Sequence, residues 1–179
     1  MPLVPAHAIV PQARAAGRGD GAFNVIGIEH AEALVTGAEA AGTPVILAIS
    51  ENCVRYHGGL EPIAAATLAL ARRAAVPASV HLDHAETEAL IEEAIDLGIP
   101  SVMFDASRFS YTENVERTAA VVRAAHARDV WVEAELGEIG GKDGVHAPGA
   151  RTDPAEGAAY VAATGIDALA VAVGTSHAM

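Results

Sequence analysis

Short runs rich in β-branched and apolar residues alternate along the chain with longer stretches whose apolar positions recur at helical spacing. This pattern predicts strands at residues 22–26 (AFNVI), 44–50 (PVILAIS), 78–84 (ASVHLDH), 101–105 (SVMFD), 131–137 (WVEAELG) and 168–173 (ALAVAV). Helices are predicted between them at 29–41, 62–75, 86–97, 112–127 and 154–163. Strands separated by helices at this spacing imply a parallel sheet built from βαβ units.

An open doubly wound sheet and a closed barrel both produce that alternation. Two features favour the barrel. No GxGxxG or Walker-type loop opens the first helix, as a nucleotide-binding doubly wound sheet would show. Polar residues also stand at the C-terminal end of nearly every strand: Asn24, Ser50, Asp83, His84, Asp105, Glu135, Ser176 and His177. One ring of strand ends supplying one site is how a TIM (β/α)8 barrel works, and such a barrel needs eight strands and typically about 250 residues. The pattern holds six, so the expectation is a single incomplete barrel domain over residues 1–179, with about six of the eight βα units present.

Composition narrows the partners. Of 179 residues, 51% are hydrophobic and 19% charged, which suits a buried core and excludes a disordered chain. The net charge of −12 repels nucleic-acid phosphates and anionic membrane surfaces, so neither is expected as a partner. The first residues, MPLVPAHAIVPQARAAG, lack the basic start and apolar run of a signal peptide. No stretch reaches the roughly 18 apolar residues of a membrane span. A single cysteine, Cys53, cannot form an internal disulfide, and a reducing cytoplasm is the expected location.

The chemistry concentrates on three strands. In His81-Leu82-Asp83-His84, alternation sends His81 and Asp83 to one side and Leu82 and His84 to the other. Asp83 and His84 can therefore serve one site only where the strand is ending. A neutral imidazole suits Zn²⁺ and a neighbouring carboxylate can move a proton, but a pair capping the strand and the next helix is an equal reading. On the fifth strand Glu133 and Glu135 are expected to face the barrel interior. Two inward carboxylates are costly unless paired, protonated or bound to a cation, which favours a metal or acid/base role. His177 ends the sixth strand where a further ligand would stand, and Asp105 ends the fourth as either a ligand or a turn residue. The Gly140-Gly141-Lys142-Asp143-Gly144 segment reads as a mobile loop that could carry Asp143 over a substrate, or as a solvated turn. Lys142 is the only lysine and lies off the strands, so Schiff-base chemistry is excluded and carbanion chemistry would need a metal.

Taken together, HLDH at 81–84, VMFDAS at 102–107, VEAELGEIGGKDG at 132–144 and AVGTSHA at 172–178 resemble the class II, zinc-dependent fructose-bisphosphate aldolases and their tagatose-bisphosphate relatives. AFNVI at 22–26 and PVILAIS at 44–50 extend the similarity over essentially the whole chain. The resemblance implies that His84, Glu135 and His177 match zinc-binding positions and that Asp105 matches a position near the metal. A second divalent or a monovalent cation is compatible with this site. Asp83 matches the acid/base residue acting on the aldehyde oxygen, Asn24 and Ser50 match positions lining the substrate site, and Asp143 matches the loop carboxylate that moves the carbon proton. Many members carry two acidic residues where this chain has Lys142-Asp143. The implied substrate is a small phosphorylated sugar, a ketose 1,6-bisphosphate, and a homo-oligomer is expected. Family members continue into a seventh strand with a further zinc histidine and an eighth with phosphate-binding groups. The chain alone is therefore expected to be poorly soluble or oligomeric, and inactive. An inactive fragment and another metal-dependent barrel enzyme, such as a water-activating hydrolase, are the alternatives.

Overall fold

The computed structural model describes residues 2–136 and 151–173. Six strands form one sheet: β1 (Ala22–Asn24), β2 (Val45–Ser50), β3 (Ala78–Ala85), β4 (Ser101–Phe104), β5 (Trp131–Glu135) and β6 (Ala168–Ala170). Every neighbouring pair is parallel, and the strands lie side by side in chain order. A doubly wound sheet reverses its strand order at a switch point. This sheet does not, so the six strands form the arc of a half-barrel.

The helices begin where side chains replace missing backbone partners. Ser50 ends β2 and at once caps α3 (Glu51–His57), accepting from Cys53 N at 3.2 Å. Thr87 caps α5 (Glu88–Asp96), and Ser110 caps α6 (Tyr111–His126). Asp153 caps α7 (Pro154–Thr164), accepting from Ala155 N and Glu156 N at 2.8 and 3.0 Å. Such caps satisfy donors that the first helical turn leaves open. α2 (Ile28–Ala41) ends at Gly42, whose φ of 61° is a left-handed conformation that glycine adopts without a Cβ penalty. With α4 (Glu61–Arg73), these helices cover the outer face of the sheet.

Alternation sorts the two faces. Val45, Leu47, Ile49, Val80, Leu82, Val102, Phe104, Val132 and Ala134 are buried in the core with helical Val35, Ile63, Leu68, Ile91 and Val122. The inner positions Asn24, Ile46, Ala48, His81, Asp83, Ser101, Trp131 and Glu133 line a cavity of about 260 Å³. Its remaining lining includes Ala6 and Val10, from a 3₁₀ turn (Ala6–Ala8) and α1 (Val10–Ala15). The preceding residues tie this segment to the start of β3, with Ala78 N donating to Pro2 O at 2.7 Å and Val4 N to Ala78 O at 3.0 Å. The sequence pattern predicted neither this plug nor α3, since both are shorter than two helical turns and show no apolar period.

Among the described residues, β1 and β6 are the edges of the sheet. Large apolar side chains stand open beside them: Phe23 at 49%, Ile26 at 51%, Val171 at 51% and Val173 at 62% exposure. Unpaired strand edges flanked by apolar surface drive association. Light scattering of the 179-residue chain is therefore expected to show mass rising with concentration. A monodisperse monomer across the same range would contradict this. No helix among the described residues is long and apolar enough to cross a membrane.

Candidate metal centre

The conflict posed by alternation at Asp83-His84 is resolved by a bulge. Leu82 pairs with Val102 and Ala85 with Phe104, so β3 carries one more residue than β4 over this interval. His84 takes up the difference with φ at 52°, a left-handed conformation that is uncommon for a residue bearing a Cβ. Residues held this way cost on the order of 1–3 kcal/mol and cluster at functional sites. The consequence is that Asp83 stays on the cavity wall while His84 turns towards the ends of β4 and β5.

There His84 Nδ1 lies 2.9 Å from Asp105 Oδ2 and 3.6 Å from Glu135 Oε2. One ligand-type atom from each of the three residues lies within 4.8 Å of the other two. Asp105 and Glu135 are both only 1% exposed. The Asp105 hydrogen bond, helped by the charges of Asp83, Asp105 and Glu135, raises the His84 pKa above the ordinary histidine value, while burial opposes the shift. Two buried carboxylates converging on one imidazole form a site of net negative charge, and buried charges are normally paired or bound to a metal. Imidazole nitrogens and carboxylate oxygens are both ligand types that zinc and similar divalent ions accept. The residues present therefore fit a divalent cation.

Asp105 does two things at once. Its Oδ1 accepts from Ser107 N at 3.1 Å and Ser107 Oγ at 2.6 Å, which makes it a turn residue, while Oδ2 faces His84. The turn reading of its sequence position is seen directly, and the second oxygen stands in the His84 cluster. Glu133 does face the cavity, 3.8 Å from His81 Nε2, and His81 Nδ1 is 2.8 Å from Ser101 Oγ. Burial is the main cause that lowers the His81 pKa. Asn24 and Asp83 share the cavity wall. Ser50 lies beside Asp83 in the sheet register, with its hydroxyl engaged in capping α3. Asp143 and His177 lie outside the described residues.

A polar group that the sequence pattern did not single out stands behind Glu135. Asn114 Nδ2 donates to the main-chain oxygens of Glu135 at 3.0 Å and Leu136 at 3.4 Å. The Tyr160 hydroxyl donates to Asn114 Oδ1 at 2.6 Å, and Thr118 Oγ1 lies 3.0 Å from both. Its signal was present as two polar residues four apart, Asn114 and Thr118, on the buried stripe of α6 that continues with Val121, Val122 and Ala125.

Burial is the main cause that pushes the Tyr160 phenol up to about 12. It therefore remains a neutral donor at physiological pH. Because the folded value lies above the unfolded one of about 10, the stabilisation is complete below about pH 10 and is lost as pH rises through about 12. Absorbance titration near the phenolate band is expected to show one of the three tyrosines ionising only around pH 12, a component absent from Tyr160→Phe. Survival of that late component in the variant would refute the assignment.

The chain is similar to known proteins over nearly its whole length. The sequence model of the family described as "Fructose-bisphosphate aldolase class-II" matches residues 4–179. A fructose-bisphosphate aldolase from Thermus caldophilus is 42% identical over 179 residues, covering 98% of this chain and 58% of the relative. A 6-phospho-5-dehydro-2-deoxy-D-gluconate aldolase from Shouchella clausii is 38% identical over 180 residues, covering 99% of this chain and 61% of the relative. Among solved structures, the YdjI aldolase from Escherichia coli K12 superposes with a TM-score of 0.87 at 31% identity, over 98% of this chain and 62% of that one. The chain thus spans about three fifths of the length of the relatives it matches. With residues 4–179 matched and the His84, Asp105 and Glu135 side chains gathered at adjacent strand ends, the chain belongs to the class-II fructose-bisphosphate aldolase family.

Proposed function

We propose that this chain supplies the metal-binding part of an aldolase site that cleaves a ketose 1,6-bisphosphate, fructose- or tagatose-bisphosphate, into dihydroxyacetone phosphate and glyceraldehyde 3-phosphate. The observation that carries the reading is the convergence of His84, Asp105 and Glu135 within 4.8 Å on a family scaffold. His84, Asp105, Glu135 and His177 would together hold Zn²⁺. When bound, the ion supplies Lewis acidity that stabilises the negative charge building on substrate oxygens as the carbon–carbon bond breaks.

The remaining roles fall to the protein. Asp83, on the cavity wall next to the His84 bulge, takes the proton from the hydroxyl that becomes the aldehyde oxygen and returns it in the condensation direction. Asn24 shares that wall and would orient the substrate with Ser50. Asp143 would return a proton to the carbon left behind. The chain's relatives include aldolases named for different phosphorylated substrates.

The test joins residue 179 to the C-terminal remainder of the Thermus caldophilus relative, giving a full-length chain. Cleavage of one of the two ketose bisphosphates is expected, lost on chelation and restored by Zn²⁺. A folded, zinc-loaded chimaera that cleaves neither would overturn the reading.

A further inference from the structure

We propose that Asn114, held in orientation by Tyr160 and Thr118, is a positioning residue that sets the divalent-cation affinity of the centre by fixing the end of β5. The inference rests on the reading of His84, Asp105 and Glu135 as cation ligands.

Glu135 is the last residue of β5. The β4–β5 register runs only from Ser101↔Trp131 to Phe104↔Ala134, while Glu135 pairs with Ala170 of β6 on the other side. Where the β4 ladder stops, the side-chain amide of Asn114 provides the next donor, bonding the Glu135 and Leu136 carbonyls together. Those two oxygens only accept, so they dictate which end of the amide faces them. Tyr160 and Thr118 meet the opposite end, Oδ1, with hydroxyls that can donate. The amide is therefore locked at both ends and cannot rotate without losing bonds on each.

All three side chains are 0% exposed, on the helices α6 and α7 that pack against each other over the sheet. Stability alone does not call for them there. A buried hydrogen-bonded pair replaced by apolar groups of the same shape is often nearly neutral. What an apolar replacement would not do is hold two consecutive main-chain oxygens at the point where a buried carboxylate leaves the sheet. Outer groups that orient a ligand typically account for about 10–100-fold in metal affinity.

The test is Co²⁺ titration, by calorimetry and visible absorbance, of the 179-residue chain and three variants, well below their melting temperatures. Asn114→Leu, which keeps the branched outline of the side chain, is expected to raise the Kd by about 10–100-fold. Tyr160→Phe removes only a hydroxyl, so it should fold, and it is expected to raise the Kd in the same direction. Thr118→Ser keeps the hydroxyl and should bind as the parent does. A packing role alone would lower the melting temperature and leave the Kd unchanged. Parental Kd values in folded Tyr160→Phe and Asn114→Leu would overturn the proposal while leaving the metal centre standing. A parent chain that binds no Co²⁺ would overturn the metal centre first, and the proposal with it.

Discussion

His84→Ala is expected to leave the chain without a bound divalent ion under conditions where the parent holds one. His84 is the only nitrogen donor of the described cluster, and its Nδ1 faces both buried carboxylates, at 2.9 and 3.6 Å. Removing it takes away a ligand atom and leaves Asp105 and Glu135 confronting each other with no imidazole between them. The loss should exceed the roughly 10–100-fold that follows when an outer partner of a ligand is removed. Alanine also bears a Cβ, so the left-handed backbone at position 84 is about as strained in the variant as in the parent. Elemental analysis after dialysis reads the result directly. A variant retaining one ion per chain would mean that the ion sits elsewhere.

Asp83→Asn separates ligation from proton transfer. Asp83 neighbours His84 in sequence, but the bulge sends the two side chains to different places, and Asp83 is outside the set that converges within 4.8 Å. The full-length chimaera carrying this change should therefore keep its metal while turnover falls by about 10²–10⁴-fold, the usual contribution of a general acid–base group. Asparagine preserves the size of the side chain, so packing along the cavity wall is little disturbed. Metal lost together with activity would show that Asp83 supports the centre, and that the proton-transfer role belongs to another group.

Much of this arrangement was legible in the sequence because it follows from period-2 alternation. The inward placement of Glu133 and Glu135 and the outward placement of Val132 and Ala134 needed no further information. The six strands begin within one residue of the positions that the apolar runs predict, and the helices end within two. What alternation could not supply was the bulge between Leu82 and Ala85. A strict two-residue repeat places His84 with Leu82, in the core. Only a local departure with positive φ brings it round to Asp105.

Asn114 and Tyr160 were hidden for a different reason. They are 46 residues apart on separate helices, and a helical repeat specifies which face is buried without specifying which side chains meet there. Ser50 illustrates the converse. Its place at the end of β2 beside Asp83 was readable, yet the same hydroxyl is the N-cap of α3, a helix too short to announce itself. A polar residue at a strand end can thus be set there by the next helix as much as by a ligand.

The central claim is that His84, Asp105 and Glu135 hold one divalent cation between the ends of β3, β4 and β5. Anomalous diffraction from crystals of the chain grown with Zn²⁺, recorded on both sides of the zinc edge, tests it most directly. One strong peak is expected within about 2.0–2.2 Å of a His84 nitrogen and of carboxylate oxygens from Glu135, Asp105 or both. Crystals with zinc bound elsewhere and no peak among these three side chains would contradict it.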